Sequence, residues 1–467
     1  MPSGAIILIL MVDAVRVGTT QNEVASWVDL NTLPPEIIQY KLGLFRLDTS
    51  CRFGGDRIDP ETVEVRPGGY GLVTRWGVPI RDSDLVKRIQ AAHPNVPNGG
   101  SLGVDLVFHN GLPREEAEIE THRIILENAR KVLEELGWDE GPDMIVVGSS
   151  VGPLKQNEDG TEARYSQLYA EQLNCPGVEI IDVKGACASG GIAFLKALNG
   201  KLVTETSSSA KKQPKKRLLV ISQENYVREA VELEYDPQVC DPASARVFTQ
   251  AAAIFGIEEG AITLGGHVFF KEVPDAQGYL SVRVNYTVSN PNKGFTRTYE
   301  DDETLSVGIN IPNNGRLVDM NARVAVFFRK EGLCALQEMK AMYGEKEWDK
   351  MEAMVSHYPS DFIMQHLVAD AIKQGLIPKG ILKRYFGRDS YSDEEVDSLA
   401  KHIKENGFVD LQGELATYPQ DGRYGNAPAA NTLIAMLQNI DKLAGKDVLF
   451  FTFGAGASFA GAKLRFR

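Results

Sequence analysis

The chain has 467 residues, 43% of them apolar, and a formal charge of −13 from 50 Lys and Arg against 63 Asp and Glu. That length exceeds one ordinary core and points to two large lobes or one heavily decorated double domain. The acidic balance argues against nucleic acid or an anionic membrane surface as the main partner. Five cysteines (Cys51, Cys175, Cys187, Cys240 and Cys334), odd in number and without paired spacing, argue against a disulfide framework and a zinc site.

Residues 5–12, AIILILMV, have no basic residues before them and run straight into Asp13, so they predict a buried strand and not a signal peptide. No other stretch approaches the ~20 apolar residues that cross a bilayer, and a cytoplasmic protein is expected. Residues 52–103 carry RFGGDR, RPGGYG and HPNVPNGGS and predict loops or hairpins that decorate the fold.

From there helix-period patterns alternate with short apolar runs. EAEIETHRIILENARKVLEELG (116–137) predicts an amphipathic helix and DMIVVGSSVG (143–152) a buried strand. YSQLYAEQL (165–173) predicts a helix, GVEIIDV (177–183) a strand, ACASGGIAFLKAL (186–198) a helix and KRLLVISQE (216–224) a strand. This rhythm is that of an α/β sandwich with mainly parallel central strands. The polar, basic stretch ETSSSAKKQPKKR (205–217) reads as a solvated loop.

The C-terminal part repeats the theme in residues 321–344, 348–375, 424–445 and 446–467, where strand-like runs enter helices through small residues. Between them, residues 387–423 predict a second decoration holding a small helix, with a capping box from Ser392 and Glu395 and Gly407 as its stop. Two segments, ACASGGIAFLKAL and NAPAANTLIAML (426–437), are apolar nearly all round, which is expected of helices buried between layers. One such helix in each half suggests a duplicated architecture.

Taken alone, Cys187 reads as a small buried hydrophobe. Its position at the start of a helix gives a second reading, since the macrodipole and unpaired N–H groups there favour the thiolate. Gly185, Ala186, Ala188, Ser189, Gly190 and Gly191 leave room for a carbonyl to approach the sulfur, as in a strand-turn-helix nucleophile display. Of seven histidines, His357 follows an apolar run and precedes a turn, the usual place of a strand-end functional side chain. His366 falls in the next helix, and His93, His109, His122, His267 and His402 lack a comparable context. Asn426 precedes an apolar helix, where a helix cap is its ordinary role, and FGAGASFAG reads as a glycine-rich turn in a terminal hairpin.

In this order, the Cys in a small-residue turn, the strand-end His, the GN before an Ala-rich helix and the terminal FGAGAS…GAKLRF resemble the ketoacyl-ACP synthase III branch of the thiolase superfamily. The likeness runs from about residue 115 to the C-terminus, and VDMNARVAVFFRKE is similar to the family segment before the histidine region. It implies a thiolase-like five-layered αβαβα sandwich of two pseudo-repeated halves, residues 1–265 with the nucleophile and residues 266–467 with His and Asn. It also implies a homodimer and a Cys-His-Asn triad. Cys187 would be the nucleophile, His357 and Asn426 the donors to the extender thioester oxygen, and the backbone N–H groups of Cys187 and Ala455 the oxyanion hole. Ala455 stands where the family usually has Gly, HYPSD where it commonly has HQAN, and TQAAA (249–253) where it normally has GDGAGA. Such departures imply a divergent member in a specialised fatty-acid or polyketide pathway.

The implied reaction loads an acyl group from acyl-CoA or an acyl carrier protein onto the cysteine and condenses it with a malonyl-type thioester by loss of CO2. No cofactor is expected beyond the phosphopantetheine thioesters of the substrates, and 205–217 offers a basic contact for CoA phosphates or an acidic carrier protein. Two other readings remain at this level: plain acyl transfer to a hydroxyl or amine with His357 as general base, and a catalytically silent partner subunit. A dinucleotide-binding oxidoreductase is excluded by the absence of G-x-G-x-x-G spacing in GACASGG and GAGASFAG.

Overall fold

A computed structural model describes residues 7–8, 28–29, 61–65, 69–81, 106–109, 114–150, 153, 163–184, 186–199, 217–224, 249–273, 282–288, 295–298, 316–320, 323–406, 425–454 and 457–466. Cys51, Cys240, His93, Gly185, Gly407 and Ala455 lie outside them, as do residues 205–216 and almost all of 5–12.

Two sheets form the frame. The first contains β1 (Glu61–Val65), β2 (Gly69–Arg75), β3 (Met144–Ser149), β4 (Glu179–Lys184), β5 (Arg217–Gln223) and β6 (Ala251–Glu258), in the order β1-β2-β6-β5-β3-β4. The second contains β7 (Ile262–Glu272), β8 (Ala353–Ser356), β9 (Asp447–Gly454) and β10 (Ser458–Phe466), in the order β7-β10-β9-β8. The chain passes from one sheet to the other through the tight turn between Glu258 and Ile262.

Helices fill three layers around these sheets. Outside the first lie α1 (Arg114–Glu135) and α2 (Tyr165–Gln172). Between the sheets lie α3 (Ser189–Asn199), which packs on β3, β4, β5, β7, β9 and β10, and a helix at Asn431–Gln438 that packs on β1, β2, β6 and β8. Outside the second sheet lie α4 (Arg323–Tyr343), α5 (Asp361–Lys373), α6 (Lys379–Phe386) and α7 (Asp393–Asn406), and the Asn431–Gln438 helix is α8. The order is therefore α/β/α/β/α. The two helices that are apolar all round are the central ones, with every residue from Asn431 to Leu437 and nearly all of α3 buried.

Period-two alternation feeds three cores. Along β9, Val448 and Phe450 face the central helices while Leu449, Phe451 and Phe453 face the outer layer. Phe194 of α3 stands at the centre, in ring contact with Phe255 of β6 and Phe450 of β9. A fully buried aromatic of this kind contributes roughly 1.5–3 kcal/mol.

Three expectations change. The sheets are mixed: only β4-β3-β5 and β8-β9 are parallel, because helices cross over between them, and the remaining pairs are antiparallel. The 52–103 segment is not all decoration, since β2 pairs along its length with β6 and buries Leu72 and Val73 in two different cores. The strand-like VAVFF lies wholly within α4, whose Phe327, Phe328, Ala335, Leu336 and Met339 repeat at helical spacing and fill the outer core. The capping box does form: Ser392 N–H donates to Glu395 Oε2 at 2.9 Å and Glu395 N–H to Ser392 Oγ at 3.3 Å.

Candidate active site

Cys187 and His357 each follow the carboxyl end of a parallel strand beside the central layer, Asn426 lies on the loop that enters it, and Ala455 is outside the described residues. β4 leads into a single 3-10 turn, Ala186–Ala188, that carries Cys187 immediately before α3. Ala186 has φ +48, a left-handed conformation costing a residue with a Cβ roughly 1–2 kcal/mol. The Ser189 hydroxyl donates to the Ala186 carbonyl and helps hold the turn. Cys187 is half-buried, and its turn packs on β9 and β10. Cys175 and Cys334 are free thiols elsewhere in the chain.

The glycines beside Cys187 have another job than the one expected. A Cβ on Gly190 would stand 2.0 Å from Ser222 Oγ and 2.2 Å from the Ala429 carbonyl oxygen, and one on Gly191 would stand 2.7 Å from Thr452. On the facing strand, a Cβ on Gly148 would stand 2.4 Å from Gly190 Cα. Gly148, Gly190 and Gly191 clear space for close packing within the protein, and so bring the start of α3 against β3, β5, β9 and the loop before α8.

His357 follows β8 directly, and its N–H donates to the Phe451 carbonyl on parallel β9 at 3.0 Å. The imidazole is fully buried, sits edge-on to Phe453 at 5.2 Å between ring centres, and has no hydrogen-bond partner for Nδ1 among the described residues. Burial pushes its pKa down from 6.5 to about 3. The ring is neutral at physiological pH and can donate one N–H, but it is a weak proton acceptor. Of the other histidines, His122 on α1 packs edge-on to Tyr165 and Tyr169, and His366 lies within α5, past its first turn.

Asn426 is buried at the head of the loop to α8, with its carbonyl accepting from Thr249 N–H at 2.9 Å. Thr249 Oγ1 also accepts from Phe108 N–H at 2.8 Å, so the divergent TQAAA segment braces this loop. Asn426 does not cap α8, whose N-cap position is Ala430. Its side-chain oxygen accepts from Asn431 Nδ2 at 3.3 Å, and the same nitrogen donates to the Tyr358 carbonyl at 2.6 Å.

Sequence reading missed Glu224. It is wholly buried just beyond β5, accepts from Ser150 Oγ at 2.7 Å on both oxygens, and accepts from Ala429 N–H at 3.2 Å. Ser222 Oγ completes the grip by donating to the Ala429 carbonyl at 2.8 Å. The available signal was a charged residue directly after an apolar strand, in VISQE. Among the described residues no cluster of His, Cys, Asp and Glu is suited to a metal ion, and no helix is long and apolar enough to cross a membrane.

Neither a family model nor a curated protein sequence matches the chain. Solved structures do. It is similar to the 3-oxoacyl-(acyl-carrier protein) synthase of Burkholderia xenovorans LB400, with TM-score 0.54 and 16% identity over 88% of this chain and 96% of that one. It is similar to 1,3,6,8-tetrahydroxynaphthalene synthase of Streptomyces coelicolor A3(2), a bacterial type III polyketide synthase, with TM-score 0.52 and 12% identity over 85% of this chain and 98% of that one. For 3-oxoacyl-(acyl carrier protein) synthase III, FabH, of Pseudomonas aeruginosa PAO1 the values are 0.51 and 14%, over 85% and 96%. The layers, the mixed sheets and these superpositions agree: the chain has a thiolase-like α/β fold, the fold of the ketoacyl synthase III and type III polyketide synthase structures.

Proposed function

We propose that the protein is a ketoacyl synthase III-like acyltransferase that loads an acyl group onto Cys187 and condenses it with a malonyl-type thioester. The observation that carries this reading is the convergence of three elements on one strand-end edge. The Cys187 turn packs on β9, which holds the His357 backbone, and α3 touches the Asn426–Ala429 loop through Gly190.

In the first half-reaction the Cys187 thiolate attacks the carbonyl of an acyl-CoA or acyl-carrier-protein thioester. The oxyanion is held by the backbone N–H groups of Cys187 and Ala455, and the pantetheine thiol leaves as thiolate. In the second, His357 and Asn426 donate hydrogen bonds to the thioester oxygen of the malonyl-type extender. Its carbon–carboxylate bond breaks, CO2 departs, and the electron pair becomes an enolate stabilised by those donors. The enolate carbon attacks the acyl-Cys carbonyl and releases the Cys187 thiolate with the β-ketoacyl product. No step requires His357 to take a proton, which suits a ring whose pKa burial has lowered to about 3. The same property disfavours the general-base mechanism of plain acyl transfer.

By resemblance the working unit is a homodimer of two-halved chains divided near residue 265. Its support is that β4 is an edge of the six-stranded sheet, an edge able to pair with a second copy. A cytoplasmic setting and a specialised fatty-acid or polyketide pathway belong to the same proposal.

Intact-protein mass spectrometry after incubation with a panel of acyl-CoA and acyl-carrier-protein thioesters tests it. The expected result is an acyl mass gain that is absent in Cys187→Ala, followed by β-ketoacyl product and CO2 on adding malonyl thioester. Transfer to an added alcohol or amine without CO2 release would favour plain acyl transfer, and no labelling by any thioester would favour a silent subunit.

A further inference from the structure

We infer that Asn431 is a positioning residue that fixes which end of the Asn426 amide faces the reacting thioester and couples that amide to the strand end carrying His357. The inference rests on the function proposed above.

The orientation follows from donor and acceptor chemistry. Asn431 is buried at the first position of α8, and its side chain reaches the Tyr358 carbonyl at 2.6 Å. A backbone carbonyl only accepts, so the Asn431 group facing it must be the NH2. That nitrogen has two hydrogens, and the second is directed at the Asn426 side chain 3.3 Å away. The Asn426 atom meeting an N–H must be its oxygen, which turns the Asn426 NH2 to the opposite side. With the Asn426 carbonyl held by Thr249 N–H, neither the backbone nor the amide flip is free. Without Asn431, the Asn426 amide can present oxygen or nitrogen to an enolate, and only nitrogen stabilises it.

The second hydrogen bond makes the device a brace. Tyr358 is the residue after His357, whose own N–H is anchored to Phe451 on β9. One amide nitrogen thus bridges the loop of one proposed donor and the strand end of the other. Asn431 itself donates to no reacting atom in this scheme.

The test compares wild type with Asn431→Asp and Asn431→Ala, each also in an Asn426→Ala background. Asp keeps the shape but offers only acceptors, so it opposes the Tyr358 carbonyl and removes the N–H that holds the Asn426 oxygen. Acylation of Cys187 by acyl-CoA, followed by intact mass, should stay within about threefold of wild type. Malonyl-dependent condensation should fall in kcat by about 10²-fold, the size expected when one oxyanion donor is lost. In the Asn426→Ala background the same changes should cost at most about threefold, which a general loss of packing would not produce. Equal loss of acylation and condensation, condensation within threefold of wild type, or full additivity with Asn426→Ala would each overturn the inference while leaving the functional reading intact. A wild-type protein that no thioester labels would overturn both.

Discussion

Gly190 lies so close to Ala429 that a methyl group on it would stand 2.2 Å from the Ala429 carbonyl oxygen. This approach, across the central layer, packs the helix after Cys187 against the loop after Asn426 and so brings two distant sequence segments into contact.

Gly190→Ala is expected to destabilise the protein by about 1–3 kcal/mol or more, because its Cβ would meet backbone and Ser222 Oγ with no room to yield. Urea unfolding reads the loss. Surviving folded protein should also condense poorly, since the loop can only move away from the Cys187 helix.

Asn426→Ala should leave the first half-reaction intact and impair the second. Single-turnover labelling of Cys187 is expected to proceed at near the wild-type rate, while malonyl-dependent CO2 release drops by about 10²–10³-fold. Equal impairment of both halves would count against its role as an enolate donor.

The buried His357 gives a pH signature in stability. Its pKa falls from 6.5 to about 3 through burial, so between those values the unfolded chain binds the proton and the folded one does not. The contribution is therefore fully retained above pH 6.5 and is lost as pH falls through that window, by about 1.4 kcal/mol per unit at its steepest. Between pH 6.5 and 5.5, denaturant unfolding should show wild type losing about 1 kcal/mol more than His357→Gln. Identical slopes would show that the ring titrates normally.

Glu224→Ala removes the carboxylate that accepts from both Ser150 Oγ and the Ala429 N–H, and so takes from these buried donors the acceptor they share. A cost of about 1–3 kcal/mol in unfolding free energy is expected, with a matching loss of condensation as the loop loosens. Ser392→Ala, at the capping box of the outer helix α7, should cost about 1 kcal/mol and leave Cys187 acylation and condensation unchanged. That pair separates effects on the site from effects on the scaffold.

Much of this architecture was legible in the residue pattern. The all-round apolar character of α3 and α8 placed both helices between layers, since neither has a polar face to show to water. The small-residue turn and the strand-end histidine located Cys187 and His357 on their elements for local reasons alone. The capping box was equally local, because its two hydrogen bonds span three residues.

What the sequence by itself determined, then, was periodicity and local chemistry: which segments alternate at two or at 3.6 residues, which helices lack a polar side, and where a nucleophile can be displayed. Only the tertiary structure decided the rest. The antiparallel pairing of β2 with β6, the use of Gly148, Gly190 and Gly191 for close packing, the burial of Glu224 and the Asn431 bridge from Asn426 to Tyr358 all depend on residues tens to hundreds of positions apart. The physical reason is that a buried polar group or a missing Cβ acquires its meaning from the neighbour it meets, and that neighbour is set by the packing of layers.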